Sequence, residues 1–269
     1  MNPLGRPDAR HRPGVHNGTI MPTDVRCLVE ADESSAVVRL TGVLDPPGTD
    51  AVRDALLARL WQRPGPVIID LSQVRIVGPD ARAVVDQVHR AVVDWPAAAI
   101  LVLDPAAGPG DDPLGPKRAE VYRSRDEAQA ALVDTPLAAV LAADLPPLAE
   151  AAREARALVT DGCARWGVPE LAEPACIAVT EMVNNVVAHA GTPMTVRIAP
   201  RDDCALHLAV RDRSARRPAY AGLAPVNSTG GRGLLLIDTV ARRWGSTPLP
   251  DGKVVWCVLH AADEAAFRS

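Results

Sequence analysis

Three polar residues at a helical interval open the chemical reading of this chain. The segment AVTEMVNNVVAHAGTPMTVRI, residues 178–198, places Glu181, Asn185 and His189 four residues apart. That interval stacks side chains along one face of an α-helix. Met182, Val183, Val186 and Val187 cover much of the remaining circumference, so the helix is largely buried and its polar stripe must face something. A solvated helix edge is the plain alternative. A carboxylate beside an amide oxygen is also what a hard divalent cation needs, since Mg²⁺ prefers oxygen ligands and keeps several waters. In a concave polar site the same carboxylate can act as a base.

Two further segments follow in order. In LAVRDRS, residues 208–214, a strand ends in Asp212. A carboxylate there can be an ordinary turn residue, or it can accept a hydrogen bond from the exocyclic amine of adenine. Guanine carries a carbonyl oxygen in place of that 6-amino group, and an unmet buried polar group is costly, so the pairing discriminates strongly. In STGGRGLLLID, residues 228–238, three glycines precede an apolar helix. They let the backbone approach a phosphate and donate N–H groups, with the positive end of the helix pointing at the same place. A Gly-x-Gly opening a helix is common in plain turns and gains weight only from its position after the other two segments.

That order resembles the GHKL ATPases, the family of gyrase, mismatch-repair ATPases and histidine kinases. The closer match, with HAGTPM after the first segment and RRWG…GKVVW at the end, resembles the small anti-sigma-factor serine kinases and covers nearly all of residues 145–260. The resemblance implies ATP and Mg²⁺ as cofactors. It implies Glu181 as the base for a protein hydroxyl, Asn185 as the Mg²⁺ ligand and Asp212 at adenine. Gly231, Arg232, Gly233 and Leu234 fall at the phosphates. His189 matches a position often occupied by His, where a helix-terminal structural role serves equally well. One departure stands out: the family usually has Asp-x-Gly where this chain reads Asp212-Arg213-Ser214. The loop 213–229 is short for the family, so any lid over the nucleotide is small.

The elements that must position these residues read as helices first and a mainly antiparallel sheet afterwards. Helices are expected over 148–166 and from 169 or 170 to about 189, with another near 233–243. Strands are expected at 194–199, 205–211 and 253–259. This is an α+β arrangement with helices on one face.

The first half reads differently. Strands at 25–30 and 36–41 can pair across the polar turn 32–35, and a helix over 49–61 has Thr49 or Asp50 available as N-cap. Strands at 67–70 and 99–103, a helix from Pro79 to Trp95, a final strand at 119–123 and a helix capped by Ser124 with Glu127 complete an α/β sandwich. The run VIIDLSQVRIVGPDA, 67–81, resembles the STAS domain of anti-sigma-factor antagonists. Where that family carries its phosphorylated serine or threonine, this chain has Asp80, a carboxylate that imitates phosphoserine only partly. Its other reading is an early-helix acidic residue favoured by the dipole.

The expected organisation is a flexible tail over 1–22, a STAS-like domain over 23–135, a linker or edge strand over 136–144, a GHKL domain over 145–262 and a tail over 263–269. A length of 269 residues accommodates two domains of about 100–150 residues each. With 48% hydrophobic and 23% charged residues the chain reads as soluble and globular. A net charge of −4 offers no broad footprint for nucleic acid or an acidic membrane. Five cysteines without a C-x-x-C pair suit free thiols in the cytoplasm, and the N-terminus shows no apolar core like that of a signal peptide. The expected partners are a sigma factor, a STAS-domain antagonist or both, and a homodimer is compatible with this. A nucleotide-dependent binding module without phosphotransfer is the alternative function.

Overall fold

The computed structural model of the chain describes residues 28–31, 36–108, 119–135, 139–201, 204–216 and 232–263. The expected tail over 1–22, the turn 32–35 and Gly231 lie outside the described residues.

The first half is a five-stranded sheet with helices on both faces. Its elements are β1 (Leu28–Ala31), β2 (Val37–Leu44), α1 (Thr49–Gln62), β3 (Gly65–Ile76), α2 (Pro79–Val92), β4 (Ala98–Leu103), β5 (Glu120–Tyr122) and α3 (Arg125–Asp134). The strand order is β1-β2-β3-β4-β5. β1 and β2 pair antiparallel, with Leu28 opposite Thr41. The remaining pairs are parallel. Parallel strands need cover on both faces, which is why β3 and β4 carry continuous apolar runs rather than alternation. Val67 and Ile69 face the core shared with α1 and α2, while Ile68, Leu101 and Leu103 pack with Ala128 of α3.

Local chemistry sets the ends. Ser124 accepts from the Glu127 amide at 3.2 Å and Glu127 reaches back to the Ser124 amide at 3.3 Å, the expected capping box. The expected cap of α1 differs. A 3₁₀ turn at Pro46–Gly48 leads straight into α1, Asp45 takes the Gly48 amide, and Thr49 spends its hydroxyl on the Pro46 carbonyl. Asp70 is fully buried at the heart of β3. Burial opposes its ionisation, but Ser72 hydrogen bonds and the Arg125 and Arg39 charges outweigh that and lower its pKa.

The second half has its own sheet, built from β6 (Leu141–Leu145), β7 (Met194–Arg201), β8 (Ala205–Asp212), β9 (Arg243–Leu249) and β10 (Gly252–His260), in the order β6-β7-β8-β10-β9. All of its pairings are antiparallel. Helices α4 (Ala151–Trp166), α5 (Ala172–Asn185) and α6 (Arg232–Val240) share a core with one face of it, through Leu206, Leu208 and Val210 of β8 and Val255, Cys257 and Leu259 of β10. Burial raises the thiol pKa of Cys163 to about 11 and of Cys257 to about 12, so both stay protonated in this core.

Strand β9 was not expected from the sequence, and α6 ends at Val240 rather than 243. Gly245 and Pro248 are poor strand formers. Their places are nonetheless specific: a Cβ on Gly245 would stand 2.6 Å from the Trp256 ring. Pro248 sits on the outer strand of the sheet, where a missing N–H is tolerated.

The other face of this sheet is covered by the first half of the chain. Leu56, Leu57, Leu60 and Trp61 of α1 belong to one core with Ala209, Leu249 and Val254. Arg197 stacks its guanidinium 4.3 Å from the Trp61 ring and donates to the Trp61 carbonyl. Arg243 binds Asp94 through two hydrogen bonds, at 3.0 and 2.6 Å, and Thr247 donates to the Ala91 carbonyl at 3.0 Å. His207 is buried at this seam, where Nδ1 has no hydrogen-bond partner among the described residues. Desolvation, reinforced by Arg201 and Arg243, lowers its pKa to about 4. An unfolded histidine titrates near 6.5, so the unfolded chain binds the extra proton between those values. Stability is therefore expected to fall as pH drops from about 6.5 to about 4. Chemical denaturation across that range should give a shallower pH slope for His207→Gln than for the wild type.

Candidate nucleotide site

Helix α5 carries the first group. Pro174, Ala175, Ala178, Val179, Met182 and Val183 are buried. Glu181 and Asn185 lie on its half-buried flank, and neither makes a side-chain hydrogen bond to another described residue. The helix does not run on as α to His189 as expected. Val186–Ala190 forms a π turn, with the Gly191 amide bonded to the Val186 carbonyl at 2.8 Å and Gly191 at φ 62°. This wider turn leaves His189 exposed. Single π turns commonly mark functional positions in helices. Just beyond, Thr192 accepts the Arg213 amide at 3.1 Å and ties the end of the π turn to the end of β8.

Asp212 sits at that strand end and is 1% exposed. The sequence raised doubt about Ser214 in place of glycine. The structure removes it: the Ser214 amide donates to Asp212 Oδ1 at 2.7 Å, and Ser214 is not among the residues with positive φ. The turn closes without a glycine's freedom.

Two residues of the site were not singled out from sequence. Lys253 Nζ lies 2.9 Å from Asp212 Oδ1 and 2.7 Å from Oδ2, and also donates to the Ser214 carbonyl at 3.2 Å. A signal was present, because strand alternation puts Lys253 on the same inward face as Val255 and Cys257. Gly252 has φ +148°, and a Cβ there would run into the Asp212 carbonyl and stand 2.8 Å from Arg213 Cα. Gly252→Ala combines backbone collision with strain and is expected to cost about 2–5 kcal/mol. Urea titration reads that loss directly.

Leu234 is buried in the α4–α5–α6 core, and Arg232 and Gly233 open α6. Val183, Val186, Met194, Val210, Leu234 and Ile237 share that core. The structure thereby gathers α5, the end of β8 and the start of α6 around one centre. A separate cavity of about 420 Å³ at the β6–β7–β8 edge is lined by Asp144, Thr195, Arg211 and Arg213 among others, and by none of Glu181, Asn185 or Asp212. Within it Thr195 donates to Asp144 at 2.6 Å, and Arg211 pairs with Asp251 at 2.6 Å.

The chain is similar to an uncharacterised protein of Streptomyces coelicolor, 37% identical over 82 residues that span 29% of this chain and 78% of that protein. Among solved structures it is similar to the RsbU and RsbW domains of a Mycobacterium tuberculosis protein, with 20% identity and a TM-score of 0.35. That match covers 47% of this chain and 32% of that one, so this chain spans about a third of the solved protein. It is also similar to the histidine kinase domain of a blue-light activated kinase from Erythrobacter litoralis, with 14% identity, a TM-score of 0.31, and coverage of 45% and 64%. The family profile of the histidine kinase-like ATPase domain matches residues 145–259, the span that holds every residue of the site. Residues 145–259 of this chain belong to the histidine kinase-like ATPase family.

Proposed function

We propose that the chain is an ATP-binding regulator of the anti-sigma-factor serine kinase type, in which a STAS-like domain over 23–135 is fused to the ATPase domain over 145–262. It acts by partner switching on a sigma factor, on a STAS-domain antagonist, or on both. The supporting observation is the pairing of Glu181 and Asn185, uncommitted among the described residues, with a buried carboxylate at the end of the adjoining strand.

The residues present fit ATP and Mg²⁺. Asn185 offers an amide oxygen suited to a hydrated Mg²⁺. Asp212 offers a buried acceptor for the adenine amine, and the motif Gly231, Arg232, Gly233 and Leu234, whose last three residues open α6, would hold the phosphates. When bound, the nucleotide supplies a transferable phosphoryl group. Glu181, one turn before Asn185, takes the proton from the acceptor serine hydroxyl. Nucleotide state can move a partner on or off only by binding the two complexes with different affinity.

Asp80 lies in the first turn of α2, behind Gly78 at φ +86°. In this reading it fixes the STAS-like domain in a phosphorylated-like state, so that domain docks rather than receives phosphate.

The test uses radiolabelled ATP, Mg²⁺ and candidate STAS proteins. Glu181→Ala should keep ATP affinity near that of the wild type while transfer falls by about 10²–10⁴-fold, because a general base acts only in the reacting complex. If the wild type transfers no phosphate while ATP still alters partner binding, the binding-module reading replaces this one.

A further inference from the structure

We propose that Lys253 is a positioning residue that sets base selectivity, by leaving Asp212 a single open acceptor. The inference rests on the reading of Asp212 as the base contact and goes beyond it, since it assigns a role to a residue outside the motif. An ionised carboxylate has about four acceptor positions, and an ammonium has three protons. Oδ1 takes two donors, the Ser214 amide at 2.7 Å and Lys253 at 2.9 Å. Oδ2 takes one, Lys253 at 2.7 Å. One position remains, on Oδ2. Lys253 itself faces three acceptors, the two carboxylate oxygens and the Ser214 carbonyl at 3.2 Å, so no proton is left to turn toward a ligand.

Among the described residues, Asp212 and Lys253 leave one acceptor and no donor, which suits one kind of purine edge. Adenine presents a single N–H of its 6-amino group and satisfies it. Guanine presents two donors, N1–H and N2–H, and an O6 that would lie against the carboxylate. Both burial and the count oppose it, because each unmet group is left without water to replace the bond. Removing the ammonium reverses the count. Asp212 then keeps only the Ser214 amide and offers about three positions, enough to take both guanine donors. Selectivity, more than affinity, is what Lys253 supplies.

Competition binding with ATP, GTP and purine riboside triphosphate, which lacks the 6-amino group, separates the outcomes. The wild type should prefer ATP over GTP by more than about 100-fold, and over the purine analogue by more than about tenfold. In Lys253→Met the ATP-to-GTP ratio should fall below about ten, while Lys253→Arg should retain most of the preference. A ratio of affinities is independent of the fraction of protein that folds. If Lys253→Met gives no folded protein at all, Ser214→Pro deletes the other donor to Oδ1 and should move the ratio in the same direction. A wild type that prefers ATP, with both Lys253→Met and Ser214→Pro at the unchanged ratio, overturns the inference and leaves the nucleotide site standing. A wild type that binds no adenine nucleotide overturns the site and the inference together.

Discussion

Asp212→Ala is expected to unfold much of the protein's margin of stability, by about 3–5 kcal/mol. The loss comes less from the missing carboxylate than from what it leaves behind. Lys253 is 8% exposed and holds its charge against Asp212 inside the sheet–helix core. Deleting one partner of a buried pair strands the other charge in a medium that cannot solvate it. The Ser214 amide would lose its acceptor as well. Asp212→Asn is the milder change, since an amide oxygen can still take the Ser214 proton, and it should cost adenine-nucleotide affinity about 1–3 kcal/mol. The double variant Asp212→Ala with Lys253→Met should recover a large part of the stability but none of the nucleotide binding. Urea denaturation beside calorimetry with ATP distinguishes these. Equal stability of the wild type and Asp212→Ala would show that the pair carries no such load.

Trp61→Ala is expected to cost about 3–5 kcal/mol, the range for deleting a large buried aromatic. Trp61 is 3% exposed and meets Trp95 edge-to-face at 5.6 Å. Arg197 covers its ring at 4.3 Å, with Arg211 further out at 6.0 Å. Truncation would therefore remove apolar cover from two guanidinium groups as well as one side of the α1–sheet contact. Arg197 Nε and Arg211 Nε are already buried without hydrogen-bond partners among the described residues. The joint between the two halves should loosen before either half melts. Far-ultraviolet circular dichroism and tryptophan fluorescence should then give transitions that no longer coincide. A single coincident transition at the wild-type temperature would rule out a structural role for this joint.

Much of this architecture could be read from the sequence because its signals are local. The capping box at Ser124 and Glu127, the continuous apolar strands and the four-residue interval on α5 each depend on neighbours within a turn or two. What could not be read depends on distant residues. Strand β9 hides behind Gly245 and Pro248, whose fitness is decided by Trp256 and by an edge position. The partner of Asp212 lies 41 positions away on β10, so its spacing to the motif says nothing of contact. Ser214 looked like a defect because the family pattern there is glycine, yet the hydrogen bond needs only an N–H. Helix α5 gave its face correctly and its ending wrongly, since the choice of α or π hydrogen bonding at Val186–Ala190 is settled by Gly191 and the strand beyond.

The cover that α1 and α2 place over the back of the second sheet acts as a competitor that can never be diluted away. A module joined by a short linker presents itself at roughly millimolar effective concentration. A free protein at about 1 µM that sought the same sheet face would have to bind about 1,000-fold more tightly than the tethered half does, a handicap of about 4 kcal/mol. Assembly through that face is thus governed by chain connectivity more than by surface chemistry. Cleaving the backbone between residues 135 and 139 would change the terms without altering one contact: dilution alone could then uncover the sheet.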